Sequence, residues 1–319
     1  MNSDNKPMTV LEILNRTKAF FEKKGVPDPL LDAQYIISHG LKMKNRMDLY
    51  LNFEKPLTPA ELDELRPLVA RRANREPLQH IIGDTSFRGF RIKCDPRALI
   101  PRPETESLVD MAAECVKGIE NPFIVEIGTG SGAIAISSAK EIEGAKVFAS
   151  DISEDALALA KENAALNDIE VRDSKLEVQN EKSEAENNDV ESAQAKSIQF
   201  AQGDLLQALP ADAPKIDCLI ANLPYIPDGE KDNLQPEVAK FDPALALFGG
   251  ADGLDLIRKL LAETEGRMAV NGVILLEIGS EQASILEAEA IKYPWLKFTG
   301  IHKDFCDNIR FVSYECIRL

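Results

Sequence analysis

Apolar positions in the first eighty residues recur at helical spacing. In VLEILNRTKAFFEKKG (10–25) they fall at Val10, Leu11, Leu14, Phe20 and Phe21, and the pattern stops at Gly25, a helix C-terminal signal. Asp28 followed by Pro29 reads as the N-cap and first residue of a second helix, which continues through DAQYIISHGLKM. Thr58-Pro59, with Glu61 at the capping-box position, opens a third helix that runs to about Arg75. No run here alternates as a strand does, so residues 1–78 are expected to form a small helical domain. Two short alternating runs around Arg88-Gly89, then Pro96, Pro101 and Pro103, predict a β-hairpin and an irregular connector, a linker over 79–103. Residues 104–119 return to helical spacing.

From Pro122 the apolar residues gather into short unbroken runs. FIVEIG (123–128), KVFASDIS (146–153), SIQFAQGD (197–204), IDCLIANLPYI (216–226) and GVILLEIG (272–279) read as buried strands. Amphipathic stretches at 132–142, 153–167 (with Ser153 as N-cap), 254–270 and 281–293 read as helices. Strands alternating with helices predict a mostly parallel sheet covered on both faces, an α/β domain over 104–319. The last two strands, 295–303 and 310–319, have no helix between them and should pair antiparallel. One segment breaks the rhythm. Residues 168–196 hold nine acidic and four basic residues and almost no large apolar ones, too little to offset the entropy of ordering them. They read as a flexible acidic insertion, inert in preference to a segment that docks a partner.

Charge and composition narrow the partners. The chain of 319 residues carries 37 Lys+Arg against 53 Asp+Glu, a net charge of −16. The charge is uneven: +2 over residues 1–80 and −18 over the remainder. Such acidity opposes the phosphate neutralisation on which nucleic-acid binding rests, so direct nucleic-acid binding is not expected. No stretch approaches the ~20 apolar residues of a membrane helix, and MNSDNKPMTV has neither the basic nor the apolar region of a secretory signal. Five scattered cysteines without a CxxC pair argue against a disulfide framework and a zinc site. A cytoplasmic monomer without a metal is the expectation, and His39, His80 and His302 are read as structural.

Two motifs carry chemistry. Glu126-Ile-Gly128-Thr129-Gly130-Ser131-Gly132 lies between a buried strand and a helix, where three glycines let the backbone turn sharply and approach a ligand. Asp151 ends the next strand, where a carboxylate can accept from both hydroxyls of a ribose. Turn and carboxylate together imply an adenosine-containing cofactor and leave S-adenosylmethionine and NAD both open, since Gly128, Gly130 and Ala133 also fit a dinucleotide pattern. Asn222-Leu223-Pro224-Tyr225, at the carboxyl end of the fourth strand, decides for the former. An amide, a proline and an aromatic at that edge offer acceptors for an NH₂ group and a flat surface to hold a planar one.

These residues resemble a class I S-adenosylmethionine-dependent methyltransferase, a Rossmann-like seven-stranded sheet. More narrowly they resemble the branch with an Asn-Pro-Pro-Tyr signature that modifies planar NH₂ nitrogens. IPRPETE (100–106), FDPALALFGGADGLD (241–255), LLEIG with Gln282 behind it, and KDFCDNIRFV (303–312) are similar to the release-factor glutamine methyltransferases, the HemK/PrmC family, over nearly the whole chain. One position departs: Leu223 stands where that family has proline. Leucine keeps the backbone carbonyl, and Pro224 behind it keeps residue 223 extended.

The resemblance implies methyl transfer from S-adenosylmethionine, with S-adenosylhomocysteine as product, to the side-chain N5 of the glutamine in the Gly-Gly-Gln tripeptide of class I peptide chain release factors. The helical domain would dock that partner. Glutamine methylation of a ribosomal protein and N6-adenine methylation of RNA or DNA are the alternatives, the second because Asn-Leu-Pro-Tyr also occurs in rRNA adenine dimethyltransferases. The implied catalytic residues are Asn222, Leu223, Pro224 and Tyr225. Glu126, Gly128, Thr129, Gly130, Ser131, Gly132, Asp151, Ile152, Asp204, Leu205 and Asn222 would hold the cofactor. Arg102, Pro103, Thr105, Asn222 and Tyr225 would border the substrate. Arg102 could equally be a salt bridge fixing the linker, and Glu277 a helix-capping partner.

Overall fold

A computed structural model describes residues 7–172 and 196–318. The chain begins with helices α1 (Val10–Lys23), α2 (Pro29–Gly40), α3 (Arg46–Leu51), α4 (Pro59–Ala73) and α5 (Leu78–Ile82). A hairpin of β1 (Asp84–Phe87) and β2 (Phe90–Lys93) leads to α6 (Glu106–Cys115). There follow β3 (Phe123–Ile127), α7 (Ala133–Glu141), β4 (Lys146–Asp151), α8 (Glu154–Leu166), β5 (Glu170–Arg172), β6 (Ser197–Gln202) and β7 (Ile216–Ala221). The chain closes through α9 (Pro236–Phe241), α10 (Asp255–Glu263), β8 (Met268–Glu277), α11 (Ala283–Glu289), β9 (Leu296–Lys303) and β10 (Ile309–Cys316). No described helix is long and apolar enough to cross a membrane.

Two compact units emerge. The first comprises residues 1–84, 94–96 and 234–242; the second 85–93, 97–233 and 243–319. In the first, capping boxes at Thr9/Glu12 and Thr58/Glu61 start α1 and α4, and Gly25 ends α1's turn at φ +70°. Asp28 stands at the N-cap of α2, but its side chain makes no capping bond; Pro29 at the first position does the work. The apolar stripes of these helices converge on Val10, Leu14, Phe21, Ile36, Ile37 and Leu65. Helix α9, within the stretch 104–319 expected to form the α/β domain, falls in this unit. Its Glu237 accepts from Arg75 (Nε 2.6 Å, Nη2 2.5 Å) and from Arg72 Nη1 at 3.0 Å. Arg72 in turn holds buried Asp32 at 2.6 Å. A guanidinium as buried as that of Arg72 needs carboxylate partners of this kind to offset its desolvation.

The second unit is built on a sheet of order β5-β6-β4-β3-β7-β8-β10-β9, parallel except where β10 runs antiparallel to β8 and β9. Seven of its strands are those expected. The eighth, β5, lies inside the stretch read as insertion: Val171 pairs with Ile198, and three residues add to the edge. The core of that insertion, 173–195, lies outside the described residues. Both faces of the central strands β3, β4 and β7 are buried, which is why these read as unbroken apolar runs. Phe123, Val125 and Ile127 face α10 and α11 with Leu219, Leu276 and Val312. Ile124, Ile220, Leu275 and Phe311 turn to the other side, toward α6, α7 and α8. The helix expected over 254–270 ends at Glu263. Thr264 Oγ1 donates to Leu261 O, Gly266 turns the chain at φ +67°, and Met268 already pairs with Ile216 as strand.

Register positions the site. Ile127 of β3 is level with Ser150 of β4 and Ala221 of β7, and Ala221 with Leu276 of β8. The next residues along these four strands are Gly128, Asp151, Asn222 and Glu277. The fold therefore sets a glycine turn, two carboxylates and an amide in one row at the carboxyl edge, where the crossovers to either side of β3 diverge.

Candidate active site

Above that row lies a cavity of about 200 Å³. Of the expected residues, Glu126, Gly128, Thr129, Gly130, Ser131, Asp151, Ile152, Asp204 and Leu205 line it, with Asn222, Leu223, Pro224, Arg102 and Thr105. Gly132, Pro103 and Tyr225 do not. Gly132 is the N-cap of α7 and faces away: a Cβ there would stand 3.0 Å from that of Ala160. Pro103 opens a short 3-10 turn and is exposed. Tyr225 directs its hydroxyl to Glu277 Oε1 and receives Arg310 Nη1, each at 3.5 Å.

The glycine turn is held by its neighbour strand. Gly128 N and Thr129 N both donate to Ser150 O, at 2.8 and 2.9 Å. Asp151 Oδ2 accepts from Gly130 N and Oδ1 from Ser153 N, each at 2.9 Å, so one carboxylate ties the turn to the start of α8. Gly128 adopts φ +73°, and a Cβ on it would meet Leu223 Cδ2 at 3.0 Å. This explains the leucine at 223. Its side chain is buried in the core beneath the turn, a place open to it because residue 128 has no side chain.

Residues beyond the motifs hold the Asn222–Tyr225 segment. Gln282 Nε2 donates to Tyr225 O at 2.8 Å and to Asp252 O at 3.0 Å. Gly249 and Gly253 pack so tightly that a Cβ would lie 2.2 Å from Pro224 O and 2.0 Å from Tyr225 O. The repeated glycines of FGGADG were the available signal; the reason for them is the backbone they abut. Pro243, Leu245 and Ala246 also line the cavity. Asp204 is paired with Lys259 at the rim.

Two carboxylates here are unusual. Burial pushes Glu126 up to about 8, against the hydrogen bond from Thr129 Oγ1 to its Oε2 at 2.7 Å. Burial likewise raises Asp151. The sign for Glu126 follows. Between its unfolded value near 4.5 and its folded value near 8 the folded state binds the extra proton, so rising pH through that window removes stability. Glu126→Gln is therefore expected to match the wild-type Tm at pH 5. It should exceed it by a margin that grows toward pH 8 when both are melted without ligand. Equal margins at all pH values would contradict the burial of an ionisable group at this position.

Comparison with known proteins places the chain. The family model described as the PrmC N-terminal domain matches residues 12–83, and that of ribosomal protein L11 methyltransferase (PrmA) matches residues 105–197. A release factor glutamine methyltransferase of Deinococcus radiodurans is 33% identical over 305 residues, covering 96% of this chain and 98% of that one. One from Thermodesulfovibrio yellowstonii is 36% identical, covering 82% and 83%. The human MTRF1L release factor glutamine methyltransferase is 29% identical, covering 95% and 86%. With the glycine turn, Asp151 and Asn222 aligned on one sheet edge and identity of this level along almost the full length, the chain belongs to the release factor glutamine methyltransferase family.

Proposed function

We propose that the protein transfers a methyl group from S-adenosylmethionine to the side-chain N5 of the glutamine in the Gly-Gly-Gln tripeptide of class I peptide chain release factors, acting as a cytoplasmic monomer. The observation that carries this reading is the placing of Asn222, Asp151 and Glu126 around one cavity. That cavity suits the cofactor. Gly128 and Gly130, at φ +73° and +54°, present backbone where side chains would intrude. Asp151 keeps lone pairs beyond the two it gives to Gly130 and Ser153, enough for ribose hydroxyls. Leu205 and Ile152 offer apolar surface for a ring, and the carboxyl of Glu126 lies where a cationic amino-acid end would favour its ionised form.

Bound S-adenosylmethionine supplies an electrophilic methyl group on a sulfonium and is left as S-adenosylhomocysteine. The rest falls to the protein. A carboxamide nitrogen is a poor nucleophile because its lone pair is delocalised into the carbonyl, and no side chain of ordinary basicity deprotonates it first. Asn222 Oδ1 and the Leu223 carbonyl accept its two N–H groups, fix its approach and stabilise the positive charge that develops on nitrogen. Pro224 restricts residue 223 to extended conformations, and Tyr225 would pack on the amide plane while its hydroxyl reaches Glu277 and Arg310. The proton leaves to water after transfer.

The test uses labelled S-adenosylmethionine with a release factor and with its Gln→Ala variant in the Gly-Gly-Gln tripeptide. Label on the first protein alone is the expected result. Equal label on both removes glutamine as target, and label on ribosomal protein or RNA instead would install one of the alternatives.

A further inference from the structure

A chain of hydrogen bonds runs back from Asn222 into the core, through Thr105, which lines the cavity, to Glu277, which does not. Asn222 Nδ2 donates to Thr105 Oγ1 at 3.4 Å. Thr105 Oγ1 donates to Glu277 Oε2 at 2.7 Å, with both groups buried. The other carboxylate oxygen, Oε1, faces the Tyr225 hydroxyl at 3.5 Å. Glu277 is the last residue of β8, in register with the row that carries Asn222, and Thr105 ends the short turn before α6.

The chemistry of the three groups makes this chain directional. An ionised carboxylate only accepts, and a hydroxyl has one proton to give. While Glu277 is ionised it takes that proton, so Thr105 can offer Asn222 nothing but a lone pair. A lone pair attracts the NH₂ branch of the Asn222 amide and repels the oxygen branch. The Oδ1 branch is then the one left to meet an incoming N–H. Turned the other way, Asn222 would present its own NH₂ to the NH₂ of the substrate, donor against donor.

We propose that Glu277 is a positioning residue for methyl transfer: through Thr105 it decides which way round the amide of Asn222 stands. The proposal rests on the glutamine-methylation reading above and adds to it a residue whose effect is on orientation, not on binding. Glu277→Gln keeps the shape but loses the direction, because an amide can give Thr105 a proton as readily as take one. Protonating Glu277 has the same consequence. Burial raises its carboxyl, Glu104 on the preceding connector pushes the same way, and Arg310 of β10 together with the Thr105 and Tyr225 hydroxyls opposes them.

The experiment measures kcat, the KM for release factor, cofactor affinity and the pH profile of kcat for wild type, Glu277→Gln and Thr105→Val. It repeats Glu277→Gln in an Asn222→Ala background. Each single variant should lose about 30-fold in kcat, inside the ~10²-fold that a misplaced reacting group costs. Cofactor affinity should stay within about threefold, since neither residue is needed to hold it. The wild-type kcat should fall on the acid side, and that limb should vanish in Glu277→Gln. Without Asn222 there is no amide left to orient, so Glu277→Gln should then add less than about twofold. A wild-type enzyme that labels glutamine, with Glu277→Gln retaining its kcat or losing as much in the Asn222→Ala background, overturns the positioning role alone. A wild-type enzyme that labels no glutamine overturns the reading of the reaction and the positioning role with it.

Discussion

Asn222→Ala should reduce methyl transfer by about 10³-fold, the effect of removing one preorganised partner from developing charge, while S-adenosylmethionine binds within about threefold of the wild-type affinity. The contrast between the two readouts is what identifies the residue. Among the described residues the Asn222 side chain makes a single hydrogen bond, the 3.4 Å one to Thr105. The segment it sits in is secured without it. Gln282 holds the Tyr225 carbonyl, Ile226 N donates to Leu247 O, and Gly249 N donates to Ile226 O, the last two at 3.0 Å. Truncation should therefore leave the strand edge and the cavity in place and subtract one acceptor. Single-turnover transfer from labelled cofactor and titration calorimetry on the same preparation check both halves. Activity within a few-fold of wild type would show that the asparagine does not meet the substrate nitrogen.

The parts of this site that could be read from sequence are those that sit at the ends of buried strands. An apolar run announces its own end, and the parallel register then carries Gly128, Asp151 and Asn222 to one edge without further information. What could not be read depends on pairs distant in sequence. Glu237 meets Arg72 across 165 positions, so the assignment of α9 to the helical unit had no local signal. Glu277 and Thr105 are 172 positions apart, and alone each is only a polar residue at the end of an element. Helices α3 and α5, of six and five residues, are too short for a period to show. Tyr225 reads from sequence as a flat surface for a planar group at the strand end; that its hydroxyl also reaches Glu277 and Arg310 depends on the β8–β10 pairing. Leu223, which departs from the family's proline, is a buried core residue fitted to a glycine.

Asp151→Ala should give the opposite pattern: cofactor affinity lower by about 10²-fold or more, and kcat at saturating cofactor within a few-fold of wild type. Two charge-assisted hydrogen bonds to ribose hydroxyls would be lost, each worth about 1.5–3 kcal/mol, or roughly tenfold to 10²-fold in affinity. A second loss adds to this one. The same carboxylate accepts from Gly130 N and Ser153 N, so its removal also frees the turn that the cofactor must find already formed. None of these groups reaches the Asn222 amide, and once the cofactor is forced on by concentration the transfer step should proceed. Asp151→Asn separates the two contributions. Its carbonyl can still accept one backbone N–H, but its NH₂ must oppose the other donor, so it should rank between Ala and wild type in affinity and leave kcat untouched. Cofactor titrations over a thousandfold range of concentration resolve the three proteins. If Asp151→Ala binds S-adenosylmethionine as tightly as wild type, the cofactor does not lie along this edge with its ribose at β4, and the alignment of its methyl group with Asn222 falls as well.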